Sequence, residues 1–185
     1  FVSNGVYLLT NQIVVNKGVV LRSWSNGDTA PGTTILDGNN YAGKPVTNRV
    51  ALMDHAQAVL DGFAVQGGIG RGGGVMIARS GMITNCIISN NLATNSTYGG
   101  GVATIGSGCD VGVITHCRVV SNATDTGGGG MFISSYCTGI VEHCIIEYNS
   151  SCVNSSASGG GGVYGGPWNT NLVFRWCTIA HNTAA

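Results

Sequence analysis

The chain has 185 residues, a formal net charge of zero and only 9% charged residues, against about 25% in an ordinary globular domain. Without a basic excess it lacks the electrostatic footprint of a nucleic-acid or anionic-membrane binder, and no run approaches the roughly 18 apolar residues that cross a bilayer. Its 31 glycines with three prolines point to tight stacking and turning, with Asn, Ser, Thr and backbone groups wetting the surface as in secreted β-rich proteins. The chain starts at Phe1 with no signal peptide, and reads as a piece of a larger exported precursor.

In chain order, residues 7–10, 12–15 and 19–23 are strand-like, broken by Asn11 and by Asn16-Lys17-Gly18. A Gly/Pro/Asp loop over 25–32 leads to a strand at 33–36 and an Asp37-Gly38 turn. A second long loop, 39–48, contains Pro45; strands at 50–53 and 58–60 follow, then an Asp61-Gly62 turn into Phe63-Ala64-Val65. From there one sentence is repeated four times. Each copy opens on a glycine run before a short apolar strand, at Gly72, Gly99, Gly127 and Gly159. Each closes on a cysteine with an asparagine five residues on: Cys86/Asn91, Cys117/Asn122, Cys144/Asn149 and Cys177/Asn182. The cysteines stand 31, 27 and 33 residues apart by their numbering. A fixed local pattern with elastic spacing describes a fixed cross-section with variable loops, which is a solenoid.

Within one copy, Val75-Met76-Ile77, a turn at Arg79-Ser80-Gly81, Met82-Ile83-Thr84, a corner at Asn85 and Cys86-Ile87-Ile88 give about three short strands. Strands this short, rich in Val and Ile and bounded by glycine, exclude helices. A β-sandwich would need alternating hairpins without a coil-length unit. The expected fold is therefore all-β: a right-handed, single-stranded parallel β-helix, with like strands stacked about 4.7–4.9 Å apart. Residues 1–185 are expected to form a single β-helix domain or a fragment of one, with opening coils and long loops over 1–49 and regular coils over 50–185.

Alternation puts Cys86, Cys117, Cys144 and Cys177 inside, with Ile88, Val119, Ile146 and Ile179 two positions on and facing the same way. Phe63 and Val65 extend both columns one coil earlier, and Ile83, Ile114, Val141 and Phe174 fill the wall before the corner. Small thiols suit a narrow core, and the glycine runs let the backbone turn tightly. Asn91, Asn122, Asn149 and Asn182 form a stacked amide ladder, each donating to the next coil and bonding its own bend. Cys109 and Cys137 fall in the same loop of adjacent coils, eight and seven residues before their ladder cysteines, and are expected to form a disulfide with Cα atoms within about 7 Å. Cys152 reads as a quiet loop thiol.

The "GGGV" openings, together with the closings that start at Asn85-Cys86, His116-Cys117, His143-Cys144 and Trp176-Cys177, resemble right-handed parallel β-helix repeats of bacterial surface proteins. They are similar to the GGA[ILV]/FxxN repeats of chlamydial polymorphic outer-membrane autotransporters, with Cys near where Phe usually stands. The resemblance covers residues 50–185 best, and more distantly it reaches pectin-degrading enzymes. It implies an extracellular or cell-surface passenger, adhesin or stalk.

Other chemistry is thin. The corner column Asn85, His116, His143 and Trp176 reads as a polar stack and not a metal site; a zinc site wants convergent thiolates, not a straight column. Glu142 and Arg175 should pair on adjacent coils. Asn95, Asn122, Asn149 and Asn154 head N-x-[ST] triplets. The glycine runs lack the Gly-Lys-Ser/Thr of a phosphate loop and the recurring aspartate of a calcium nonapeptide. The carboxylates Asp28, Asp37, Asp54, Asp61, Asp110, Asp125, Glu142 and Glu147 lie mostly in turns and loops and form no recognisable acid pair. No cofactor or metal is expected. The leading reading is a non-catalytic surface module whose loops 92–98, 150–158 and 165–171 meet an unknown surface or glycan ligand, with Trp168 and Tyr98 as candidate contacts. The alternatives are a subunit that stacks end to end into filaments, and a segment of a secreted polysaccharide lyase or hydrolase. Neither nucleic acid nor membrane insertion is expected.

Overall fold

A computed structural model describes residues 1–24, 33–38, 49–94, 99–106, 108–152 and 159–185. The described residues contain strands but no helix, and every strand pairing is parallel. The chain winds as a β-solenoid whose walls are sheets built from one strand per coil.

The ladder sheet has seven strands: Gly5–Leu8, Thr34–Asp37, Phe63–Gln66, Ile87–Ser89, Arg118–Val120, Ile145–Glu147 and Thr178–Ala180. A second sheet of six follows the glycine runs, from Ile13–Val15 through Ala51–Met53, Val75–Ile77, Val102–Thr104 and Met131–Ile133 to Val163–Gly165. The third, also of six, comprises Val20–Arg22, Val59–Asp61, Met82–Thr84, Asp110–Thr115, Thr138–Glu142 and Asn171–Arg175. The sequence placed several of these boundaries one or two residues off. Asp37 and Asp61, assigned to turns, end strands instead.

A fourth sheet had not been expected. Leu92–Ala93, Ala123–Thr124, Ser150–Ser151 and Thr183–Ala184 stack in register just after the closing asparagines. The loops assigned to 92–98 and 150–158 therefore begin as strands. The loops 25–32 and 39–48, Asp28, Tyr98, and the triplet asparagines Asn95 and Asn154 lie outside the described residues.

The core is a set of columns. Tyr7, Leu36, Val65, Ile88, Val119, Ile146 and Ile179 are consecutive partners through seven rungs. Leu21, Leu60, Ile83, Ile114, Val141 and Phe174 make the facing column. Ile88, Val119 and Ile146 are fully buried, each side chain stabilising the tube by about 1.5–3 kcal/mol. Ile179, on the last rung, keeps its place in the column but is 50% exposed, because no coil covers it.

Two corners per coil use the left-handed backbone region with residues other than glycine. Asn85, His116, His143 and Trp176 have φ between 50° and 53°, and Asn90, Ser121, Tyr148 and His181, immediately before the closing asparagines, are near 54°. Such conformations are uncommon outside glycine, and they recur here because each corner is over-determined by the strands on either side.

Candidate functional site

The interior columns come first, because they set what the surface can do. Cys86, Cys117 and Cys144 are buried; Cys177, on the last rung, is half-buried. Each thiol bonds a carbonyl oxygen two residues back and one on the preceding coil. For Cys117 these are Thr115 at 3.2 Å and Ile83 at 3.6 Å; for Cys144 they are Glu142 at 3.1 Å and Ile114 at 3.6 Å. Burial, then hydrogen bonds with Cys144 and Cys86, pushes the Cys117 thiol well above its ordinary 9.0. The ladder thiols are packing groups in a tube of carbonyls and aliphatics.

The asparagine ladder is saturated. Asn122 Nδ2 donates to Ile88 O at 2.9 Å and to Asn149 Oδ1 at 3.0 Å, while its Oδ1 accepts from Asn91 N at 3.1 Å and Asn91 Nδ2 at 3.0 Å. Asn149 repeats this one coil on, with Val119 O and Asn182 Oδ1 as acceptors. Each amide thus reaches the carbonyl of the preceding coil and not, as expected, its own bend. Asn122 and Asn149 are 1% exposed, so the folded ladder leaves neither amide open to a glycan.

The same amides explain the glycine runs. A Cβ on Gly74, Gly101, Gly130 or Gly162 would stand 2.7–2.9 Å from Nδ2 of Asn91, Asn122, Asn149 or Asn182 respectively. None of these four glycines has a positive φ. The role of these four is space, since the two ends of the repeat motif touch each other, whereas the tight turning expected of the runs falls at Gly72 and Gly128, with φ of 63° and 69°.

The carboxylates also differ from expectation, since Asp37, Asp61, Asp110, Glu142 and Glu147 all stand on strands. Arg22 Nε lies 2.6 Å from Asp61 Oδ2, Arg118 Nη2 3.1 Å from Glu147 Oε1, and Arg175 Nη2 2.7 Å from Glu142 Oε2. Each of these pairs joins adjacent coils. Above them the corner rings stack: His116 on His143 at 4.9 Å, His143 on Trp176 at 4.8 Å, and, on the second corner, Tyr148 on His181 at 5.2 Å. Among the described residues no cluster of three or more His, Cys, Asp or Glu is arranged to hold a metal ion.

The surface feature with a built geometry lies at the corner between the second and third sheets. There the segments 54–58, 78–81, 105–106 with 108–109, 134–137 and 166–170 follow one another from coil to coil, tied by Ala78 N to Met53 O, Ile105 N to Ile77 O and Gly166 N to Ile133 O. At its upper end Trp168 stacks on Tyr136, centroids 5.1 Å apart and planes 13° apart, with the residues 65% and 54% exposed. Both hold φ near +60°, a costly conformation for bulky residues that persists only where the surroundings enforce it. Here Tyr136 N bonds Pro167 O at 3.2 Å, and Cys137 N bonds Asn169 Oδ1 at 2.6 Å. Cys137 is joined by a disulfide to Cys109 with Cα atoms 4.6 Å apart, inside the expected limit. Trp168 therefore stands clear of the core edge, while Tyr136 escaped notice in the sequence. Its signal was position: directly before a bridged cysteine, one coil below Trp168.

Comparison of the chain with protein-family models, with curated proteins and with solved structures finds no match.

Proposed function

We propose that the chain is a non-catalytic module of an extracellular or cell-surface β-helical protein, akin to the bacterial surface repeats its motifs resemble, and that it binds carbohydrate on the Tyr136–Trp168 pair. The observation that carries this is the pair itself: stacked, largely solvent-facing rings held in strained backbone and tied down by a disulfide. Aromatic rings give large contact areas at low entropic cost, and a pre-ordered platform loses little freedom on binding. The disulfide and the sparse charge suit an oxidising, extracellular setting.

The other readings draw less support. Polysaccharide cleavage needs a pair of free acids, and Asp54, Asp61, Glu142 and Glu147 are each paired with an arginine, while Asp110 is held by Ser80 and Gly112. Continuing the third sheet head to tail between copies in register would set Arg175 of one against Arg22 of the next, since both occupy the same column.

The test is a glycan array, followed by calorimetric titration of the best binder against wild type and Trp168→Ala. A loss of about tenfold or more is expected, as for a hot-spot aromatic. Absence of any glycan binding, or an unchanged affinity in Trp168→Ala, would sink the proposal.

A further inference from the structure

Below the ring pair the same corner is hollow. One groove of about 770 Å³ is lined by Asp54, His55, Arg79, Ser80, Cys109 and Asp110 among others, and a second of about 400 Å³ continues from it, sharing Ala56, Ser80 and Asp110. Cys109 is thus a wall of the groove and also the disulfide partner of Cys137, beside Tyr136.

The hollow arises from unequal strands. Asp110–Thr115 has six residues, whereas Met82–Thr84 and Val59–Asp61 on the coils below have three. The surplus has no strand partner on the coil below, where pairing begins at Val113; against the coil above, Thr138–Glu142, the register shifts between Asp110 and Val113, a bulge of the kind that re-aims a side chain. Asp110 is thereby held out as a ledge. Its Oδ2 accepts from Ser80 Oγ at 2.9 Å and its Oδ1 from Gly112 N at 2.8 Å. A carboxylate offers about four acceptor sites, so capacity remains for an incoming hydroxyl. The floor is aliphatic: Val59, Met82, Val113 and Ile140 are consecutive partners on the outward side of the third sheet, and all line the second hollow.

We propose that this corner is one linear subsite for a neutral oligosaccharide of about four units, which lies against the exposed edges of Trp168 and Tyr136 and runs along the solenoid axis, past the disulfide, into the groove. The proposal rests on the carbohydrate reading above and adds the ligand's length, direction and charge. Four coil steps separate the turn at Asp54 from that at Trp168, about 19 Å at the rung spacing, or roughly one sugar per rung. The stripe of four aliphatics receives the apolar faces of the rings, and the rim of Asp54, Arg79, Ser80 and Asp110 receives the hydroxyls. Charge selects against a polyuronate. The one arginine on the rim already lies 3.2 Å from Asp54, leaving Asp110 to face any added carboxylate.

The experiment measures binding of cello- and malto-oligosaccharides, from disaccharide to hexasaccharide, and of oligogalacturonates, to wild type, Trp168→Ala, Met82→Gln and Arg79→Ala. In one neutral series affinity should rise to the tetrasaccharide and then level off. Met82→Gln and the exposed-rim variant Arg79→Ala should each weaken tetrasaccharide binding about tenfold while leaving the disaccharide unchanged, whereas Trp168→Ala weakens both. Equal affinity for all lengths, length dependence that survives both groove variants, or tighter binding of the uronates would overturn the linear subsite and leave the platform standing. No binding of any sugar would overturn both.

Discussion

Asn122→Ala tests whether the amide ladder holds the coils together. The side chain makes four hydrogen bonds, all buried and all to other coils. At about 0.5–1.5 kcal/mol net each, their loss amounts to roughly 4 kcal/mol. The alanine also leaves the buried backbone N–H of Asn91 without its acceptor. That is a large share of the about 5–15 kcal/mol that stabilises a typical domain. Asn182 provides the internal comparison. It makes three such bonds and is only half-buried, so Asn182→Ala should cost about half as much. Asn122→Asp keeps the shape and the oxygen that accepts two bonds from Asn91 but turns the donating NH2 into a charged oxygen facing Ile88 O and Asn149 Oδ1, and should be at least as harmful as alanine. Urea unfolding followed by circular dichroism and tryptophan fluorescence reads all three. A loss below about 1 kcal/mol for Asn122→Ala, or equal losses at positions 122 and 182, would refute the reasoning.

Three further outcomes are expected. Gly112 sits at φ +70° where a Cβ would overlap the Gly81 carbonyl oxygen, whereas Gly106, at φ +79°, faces open space. Gly112→Ala should therefore lower the urea midpoint far more than Gly106→Ala, and similar midpoints would show that conformation alone matters there. Intact mass should rise by two hydrogens on reduction of the Cys109–Cys137 bond, whose loop spans 28 residues, with a stability loss of about 3.5 kcal/mol. Because the folded Cys117 thiol is held above 9.0, the unfolded chain gives up that proton first. The stabilisation is complete below about pH 9 and falls as pH rises through the folded value; midpoints between pH 7 and pH 10 should decline more steeply in wild type than in Cys117→Ala.

The sequence made the tube legible wherever a column repeats one chemistry. Cysteine, aliphatic and asparagine recur at fixed offsets, so their stacking follows from alternation alone. Features without such contrast were hidden. Ser150–Ser151 and Thr183–Ala184 are two-residue strands of small residues with no apolar period to mark them. Asn90, Ser121, Tyr148 and His181 share a backbone conformation but no side-chain type, so their corner left no pattern. The candidate site was visible only in part. Trp168 and the two bridged cysteines stand out by type, but Tyr136, Asp110 and Met82 gain their roles from a bulge and a coil alignment that variable loop lengths conceal.

The contact between Gly101 and Asn122, repeated on four windings, has an evolutionary corollary. Neither residue can change alone, since a larger side chain at the first strikes the amide and loss of the amide strips the neighbouring turn. Removing or duplicating an entire winding, by contrast, would reunite identical ends and restore every bond. Such a molecule should lengthen and shorten among its descendants by whole turns, with its interior motif held constant while the outer bends drift.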